Sequence, residues 1–189
     1  MDVDLPTLHR KALEDTGRLV SAVRDDQLGD PTPCEGWDVR ELLNHLVYGN
    51  RWVVPLVQGK SIDEVGDELE GDLLGDDHVT AYQLSATDAD SAFSATGAMD
   101  ASVAVSYGPI PGEAYCGHRL LDVLVHGWDL AKATGQDTSL DPDAVAVSWE
   151  RLQPELAMLQ ASGAFGTPQP IDDDADLQTR LLAALGRTP

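Results

Sequence analysis

The sequence predicts an all-α protein, a bundle of four long helices with an extra C-terminal helix and one short extended segment. Three observations carry this. Apolar residues recur at i, i+3, i+4 and i+7 through long windows, the period of a helix with one buried face. The windows are punctuated by capping and breaking residues, among them Asp38 with Glu41, Asp141 with Pro142, Gly59 and Gly135. Alternation of period two is confined to residues 101–107. The chain has 189 residues, 42% of them hydrophobic, which suits one globular domain with a core of its own.

The first helix is predicted over residues 4–24. Asp4 is placed to cap it, and Pro6 sits in the first turn, where its missing N–H does no harm. Leu5, Leu8, Ala12, Leu19, Val20 and Val23 form its core face, while His9, Arg10 and Lys11 read as surface. Two prolines and a glycine make residues 25–37 a loop. A second helix starts at Asp38, with Glu41 completing a capping box, and runs to about Val57, with Pro55 bending its end. Its core face is Val39, Leu42, Leu43, Leu46, Val47, Val53 and Val54, and His45 lies inside that face. Residues 60–75 are acidic and glycine-bearing and read as a surface loop with a helical turn at 62–65, mobile enough for a lid role. A third helix over 76–98 carries Val79, Tyr82, Gln83, Ala86, Ala89 and Phe93. Residues 101–107 are extended and 108–112 form a turn. The fourth helix, 113–134, buries Leu121, Leu124, Val125, Trp128 and Ala131 and stops at Gly135. A fifth opens at Asp141–Pro142 and continues to about Leu159, bent at Pro154. The loop 165–170 then precedes a last helix from Asp176 to Leu185. Neither an internal repeat nor a domain boundary interrupts the pattern, so residues 1–189 read as one domain, with 161–189 as a C-terminal extension packed on it.

The net charge is −21, from 12 basic and 33 acidic residues. With no basic surplus to neutralise phosphates, no nucleic-acid partner is expected, and an anionic membrane surface is disfavoured for the same reason. The acids read mainly as a solvated surface. The two cysteines, Cys34 and Cys116, form no CxxC, so neither a disulfide framework nor a structural zinc site is expected. Cys34 could be a reactive thiol, but its reading as a small packing residue is favoured. The N-terminus is acidic and lacks the apolar stretch of a signal peptide, and no run approaches the roughly 18 apolar residues of a membrane span. A cytoplasmic location is the expectation.

Chemistry concentrates in the fourth helix. Asp122 and His126 interrupt its apolar stripe at i and i+4, so both side chains leave the same face on adjacent turns. A carboxylate and an imidazole beside a core are costly to desolvate unless paired. With His45 they make a candidate two-histidine, one-carboxylate set, suited to zinc, nickel, iron or manganese, that leaves coordination positions open. The spacing alone favours a buried carboxylate–histidine hydrogen bond, and His45 by itself reads more readily as a core histidine bonded to a backbone carbonyl. His118, four residues before Asp122, could be a fourth ligand, a group orienting Asp122, or a solvent-facing residue. Asp129 is a candidate acceptor for an imidazole N–H from behind the ligands, or an exposed or capping residue.

The run Thr32-Pro-Cys-Glu-Gly-Trp-Asp-Val-Arg-Glu-Leu-Leu-Asn-His45 resembles the lead into the second helix of the DinB-like metalloprotein superfamily. It is most similar to the actinobacterial group related to the metal-binding N-terminal domain of mycothiol-dependent maleylpyruvate isomerase. The run Leu121-Asp-Val-Leu-Val-His-Gly-Trp-Asp-Leu-Ala131 and the tail Arg180 to Pro189 resemble that group too. The resemblance implies a DinB-like four-helix bundle with one metal in a cleft, held by a histidine of the second helix and an acid-x-x-x-His pair of a later one. These map onto His45, Asp122 and His126. The family's acid is often Glu, and the shorter Asp122 reaches less far. The resemblance implies zinc or nickel as the divalent metal, and mycothiol as co-substrate. Trp37 and Trp128 would then pack beside the cleft.

The expected function is that of a metal-dependent enzyme activating a low-molecular-weight thiol against a small electrophilic substrate. Too few residues follow the fifth helix for the additional C-terminal domain of the isomerase, so its own reaction is not carried over. Metal-activated water attacking an ester or amide is a variant within the same class. The rival reading is a non-catalytic metal- or ligand-binding bundle, and an exposed helix face could support a homodimer.

Overall fold

In the computed structural model, residues 4–157 and 166–189 are described, and the chain divides into two compact units, residues 2–138 and 139–189. The first unit contains α1 (Leu5–Ser21), α2 (Val39–Val57), the single turn α3 (Ile62–Val65), α4 (His78–Ser94), a hairpin of β1 (Ser102–Val105) and β2 (Gly108–Pro111), and α5 (Gly112–Thr134). α1 packs on α4 and α5, and α2 packs on the same two, so the four long helices close into a ring around one core. The fold is therefore the expected helical bundle, with a two-stranded sheet as its only strand structure among the described residues. No described helix is long and apolar enough to cross a membrane.

The caps explain where the helices begin. Asp38 accepts from the Glu41 backbone N–H, and the Glu41 carboxylate answers the Asp38 N–H, satisfying two orphan donors reciprocally at the start of α2. Ser61 and Glu64 repeat that arrangement on α3. Asp77 accepts from the Thr80 N–H on α4, and Gly135 ends α5 in the left-handed region. The core joins Leu42, Leu43, Leu46 and Val47 of α2 to Val20 of α1, Tyr82 of α4 and Leu130 of α5. Tyr82 is fully buried, and its hydroxyl donates to the Leu13 carbonyl at 3.0 Å, so the polar atom is satisfied inside the core.

Two expectations are corrected. His9 is fully buried, not at the surface. It follows Leu5 by four residues and precedes Ala12, Leu13 and Thr16 on the same face of α1, and its ring meets Phe93 of α4 edge-on at 5.0 Å. Residues 108–111 are a strand, not a turn; the reversal lies at Ser106–Tyr107. Pro109 and Pro111 are tolerated because they alternate with Gly108 and Ile110. Gly112, in phase with the latter pair, donates to Ala101, which leaves the proline nitrogens on the side facing away from β1.

The second unit holds α6 (Pro142–Leu152) and α7 (Leu177–Ala184). Asp141 caps α6 with Pro142 at its first position, and Asp176 caps α7 through the Thr179 N–H. α6 stops two residues before Pro154, and the expected continuation to Leu159 runs into residues 158–165, outside the described residues. The Leu140 N–H donates to the Gln178 side chain at 2.9 Å, and Gln169 donates to the Ala183 carbonyl at 2.9 Å, tying the intervening chain to α7.

Candidate metal centre

The site is assembled from α2, α5 and the loop between α1 and α2. Cys34 to Trp37 form a tight turn closed by the Trp37 N–H on the Cys34 carbonyl at 3.0 Å. Gly36, the third residue of that turn, has φ +82°, which a side chain rarely adopts. Thr32 braces the turn, its hydroxyl donating to the Trp37 carbonyl at 2.9 Å and accepting from the Cys34 N–H at 3.1 Å. The turn thereby sets Cys34 and Trp37 against α2 and α5. The Trp37 ring lies 4.8 Å from His45 and 5.9 Å from His126, centroid to centroid.

His45, Asp122 and His126 come together as the sequence suggested. Asp122 Oδ1 is 3.3 Å from His45 Nε2 and 3.7 Å from His126 Nε2. Ligands on a tetrahedral ion with bonds of roughly 2.0–2.2 Å stand about 3.3–3.6 Å apart, so these separations suit a shared ion, and the short Asp122 reaches both imidazoles. Among the described residues two groups have donor atoms mutually within 4.8 Å: this one, and Cys34, His126 and Asp129. His126 belongs to both. Its Nδ1 is 3.0 Å from Asp129 Oδ2, and Asp129 is fully buried. A carboxylate there holds the ring proton on Nδ1 and leaves the Nε2 lone pair toward Asp122 and His45, the arrangement that suits a metal-ligating histidine. The Cys34 thiol donates to the same Asp129 oxygen at 3.1 Å and stands 3.6 Å from His126 Nδ1.

Two other residues singled out are not members of these groups. His118 is in neither; its Nδ1 meets the Tyr107 hydroxyl at 2.9 Å. Trp128 is buried, with the Lys132 ammonium 5.3 Å from its ring centre. Sequence reasoning missed Arg119. It is buried, and its Nη1 donates to Asp122 Oδ2 at 2.8 Å. Burial works against ionisation of Asp122, but the Arg119 guanidinium, followed by His126 and His45, holds its carboxyl well below the usual carboxylate range. The available signal was a charged residue inside the apolar run of α5, three positions before the acid.

A cleft of about 660 Å³ opens beside His45, with Trp37, Asn44 and Tyr48 on one side and Glu70, Gly71 and Asp72 on the other. Within the loop 60–75, whose composition permits a lid role, residues 71–75 are hydrogen-bonded to α2. Arg40 donates to Asp72 at 2.8 Å and to the Gly75 carbonyl at 3.1 Å, while Asn44 donates to the Gly71 carbonyl and accepts from the Leu73 N–H at 2.7 Å. It is a fixed wall.

Comparison with known proteins agrees with this architecture. Over 91% of this chain and 78% of theirs, it resembles crystal structures of the mycothiol-dependent maleylpyruvate isomerase and of one of its mutants, with TM-scores of 0.66 and 0.68 and identities of 19% and 20%. Two uncharacterized proteins from two strains of Mycobacterium tuberculosis are each 36% identical to it over 95% of this chain and 96% of their own length. The family model described as mycothiol maleylpyruvate isomerase N-terminal domain matches residues 9–131, which include every residue of both donor groups, and the chain belongs to that family.

Proposed function

We propose that this protein is a metal-dependent enzyme that activates a low-molecular-weight thiol, mycothiol by analogy with its family, for transfer to or isomerisation of a small electrophilic substrate. The observation that carries the reading is the convergence of His45, Asp122 and His126 at ligand spacing beside an open cleft. These three would hold a divalent ion, zinc or nickel, with positions left open. When bound, the ion supplies a Lewis-acid position at which a thiol ionises near neutral pH.

The chain's own residues prepare that position. Asp129 fixes the His126 tautomer, so Nε2 is available without a proton to displace. Arg119 holds the far oxygen of Asp122, so Oδ1 is the one turned to the imidazoles. Trp37 packs on both rings and limits water around them. The cleft volume suits a small molecule, and Tyr48 with Asn44 offers polar and aromatic surface for it.

The test is elemental analysis of protein purified without a metal-affinity tag, wild type beside His126→Ala. About one transition metal per chain, lost in the variant, supports the reading and directs a thiol-transfer screen. Absence of metal from both, even after zinc or nickel is added back, overturns it and leaves Asp122 as a carboxylate compensated by Arg119 and the imidazoles, the alternative of a non-catalytic bundle.

A further inference from the structure

Arg119 has a seat built for it. Its side chain is 9% exposed, Nη1 donates to Asp122 Oδ2 at 2.8 Å, and Nη2 donates to the side-chain Oδ1 of Asn50 at 3.4 Å. Gly49 makes the space: a Cβ at that position would collide with the guanidinium. Asn50 is itself buried and held by Ser85, to whose hydroxyl it donates at 3.3 Å. A buried cation with a dedicated cradle on a neighbouring helix is more than a chance surface pair, whose contribution is usually small.

The consequence is a charge difference. Whatever its other neighbours contribute, the guanidinium makes the surroundings of Asp122 one unit more positive than a neutral side chain at 119 would. A divalent ion adds two positive charges, and an anionic ligand at an open position offsets one of them. Without Arg119 an anion at the open position would meet one unit less positive charge at close range, so its binding would weaken while that of a neutral ligand would change little. We propose that Arg119 is a specificity-determining positioning residue: it presents Asp122 through Oδ1 and adds one positive charge beside the loaded centre, so that the open position selects an anionic ligand of the thiolate or carboxylate class over a neutral one. This rests on the metal reading given above.

Cobalt(II) uptake by the tag-free full chain, followed by azide and imidazole titrations read from the visible spectrum of the cobalt, tests it. Wild type is compared with Arg119→Gln, Arg119→Met and Arg119→Lys, each checked for fold by circular dichroism in the cobalt-loaded form, and with Gly49→Ala, which displaces the guanidinium without removing it. One cobalt per chain is expected throughout. The azide dissociation constant should rise about tenfold in the neutral variants, severalfold in Gly49→Ala, and less than about threefold in Arg119→Lys, while imidazole affinity changes less than about twofold. Unchanged azide affinity, or equal weakening of azide and imidazole, overturns the inference and leaves the metal reading standing. A wild-type protein that takes up no cobalt overturns both.

Discussion

His9 is an imidazole with neither nitrogen hydrogen-bonded and no exposure to solvent, in a protein where most core polar groups are paired. Its cost appears as acid sensitivity. Burial, with a further push from the Arg119 guanidinium against an opposing pull from Asp122, lowers its pKa to about 3. The unfolded chain therefore takes up this proton first, and stability is lost as pH falls from about 6.5 toward 3, by about 2 kcal/mol at pH 5. Chemical denaturation at pH 7.5 and pH 5 should show that loss in wild type and a smaller one in His9→Leu; equal slopes would remove His9 as the cause. At the same scale, Asp129→Asn should leave the fold intact and weaken metal affinity about 10- to 100-fold in a chelator competition, because it withdraws the anionic acceptor behind His126. The approach of His45, Asp122 and His126 was legible from helical spacing and resemblance, and Asp129 was legible only as one alternative beside an exposed or capping role. Arg119 showed only as a charge inside the apolar run, since its seat at Asn50 lies 69 residues away, and Cys34 read first as a packing residue because Asp129 lies 95 residues away.

The long helices of the bundle were readable from the sequence chiefly through their apolar period, helped by the capping box of α2 and the stop of α5 at Gly135. Their closeness of approach was not, since it depends on which glycines meet which neighbours. Gly112, at the start of α5, lies so near the 3₁₀ turn Ala98–Asp100 that a Cβ would run into the Ala98 carbonyl. Gly127, in the middle of α5, faces Thr16 of α1, and a Cβ added there would stand only 2.6 Å from the threonine hydroxyl oxygen. The two obstacles differ. A backbone carbonyl cannot turn aside, whereas the Thr16 hydroxyl can rotate, at the loss of its 3.4 Å hydrogen bond to the Val123 carbonyl. Gly112→Ala should therefore destabilise by about 3 kcal/mol or more and Gly127→Ala by about 1 kcal/mol, read as midpoints of urea unfolding. The reverse order would mean that the hairpin connection yields more readily than the α1–α5 contact. β2 was misread for a related reason: Gly-Pro-Ile-Pro-Gly carries turn residues, and only the pairing partner reveals that its prolines fall at the outward positions.

At the scale of the whole molecule, the charge of −21 disfavours compactness through self-repulsion, and the core must outweigh it. That core is organised locally: residues 2–138 form one compact unit, and the family model falls inside it at 9–131. Both donor groups, Arg119 with its cradle of Gly49 and Asn50, and the cleft wall 69–72 all belong to this unit. The ring of α1, α4, α2 and α5 is complete within it, and each helix of the ring has two neighbours there. Nothing in the chemistry of the proposed centre calls on α6 or α7. A fragment ending at Thr138 should accordingly fold as a helical protein with a cooperative thermal transition and take up one cobalt per chain with an affinity within about tenfold of the full chain. Circular dichroism melting and cobalt titration of that fragment check it. A fragment that melts without cooperativity would make residues 139–189 part of the folding unit. One that folds but binds no cobalt, beside a full chain that does, would make them part of the site.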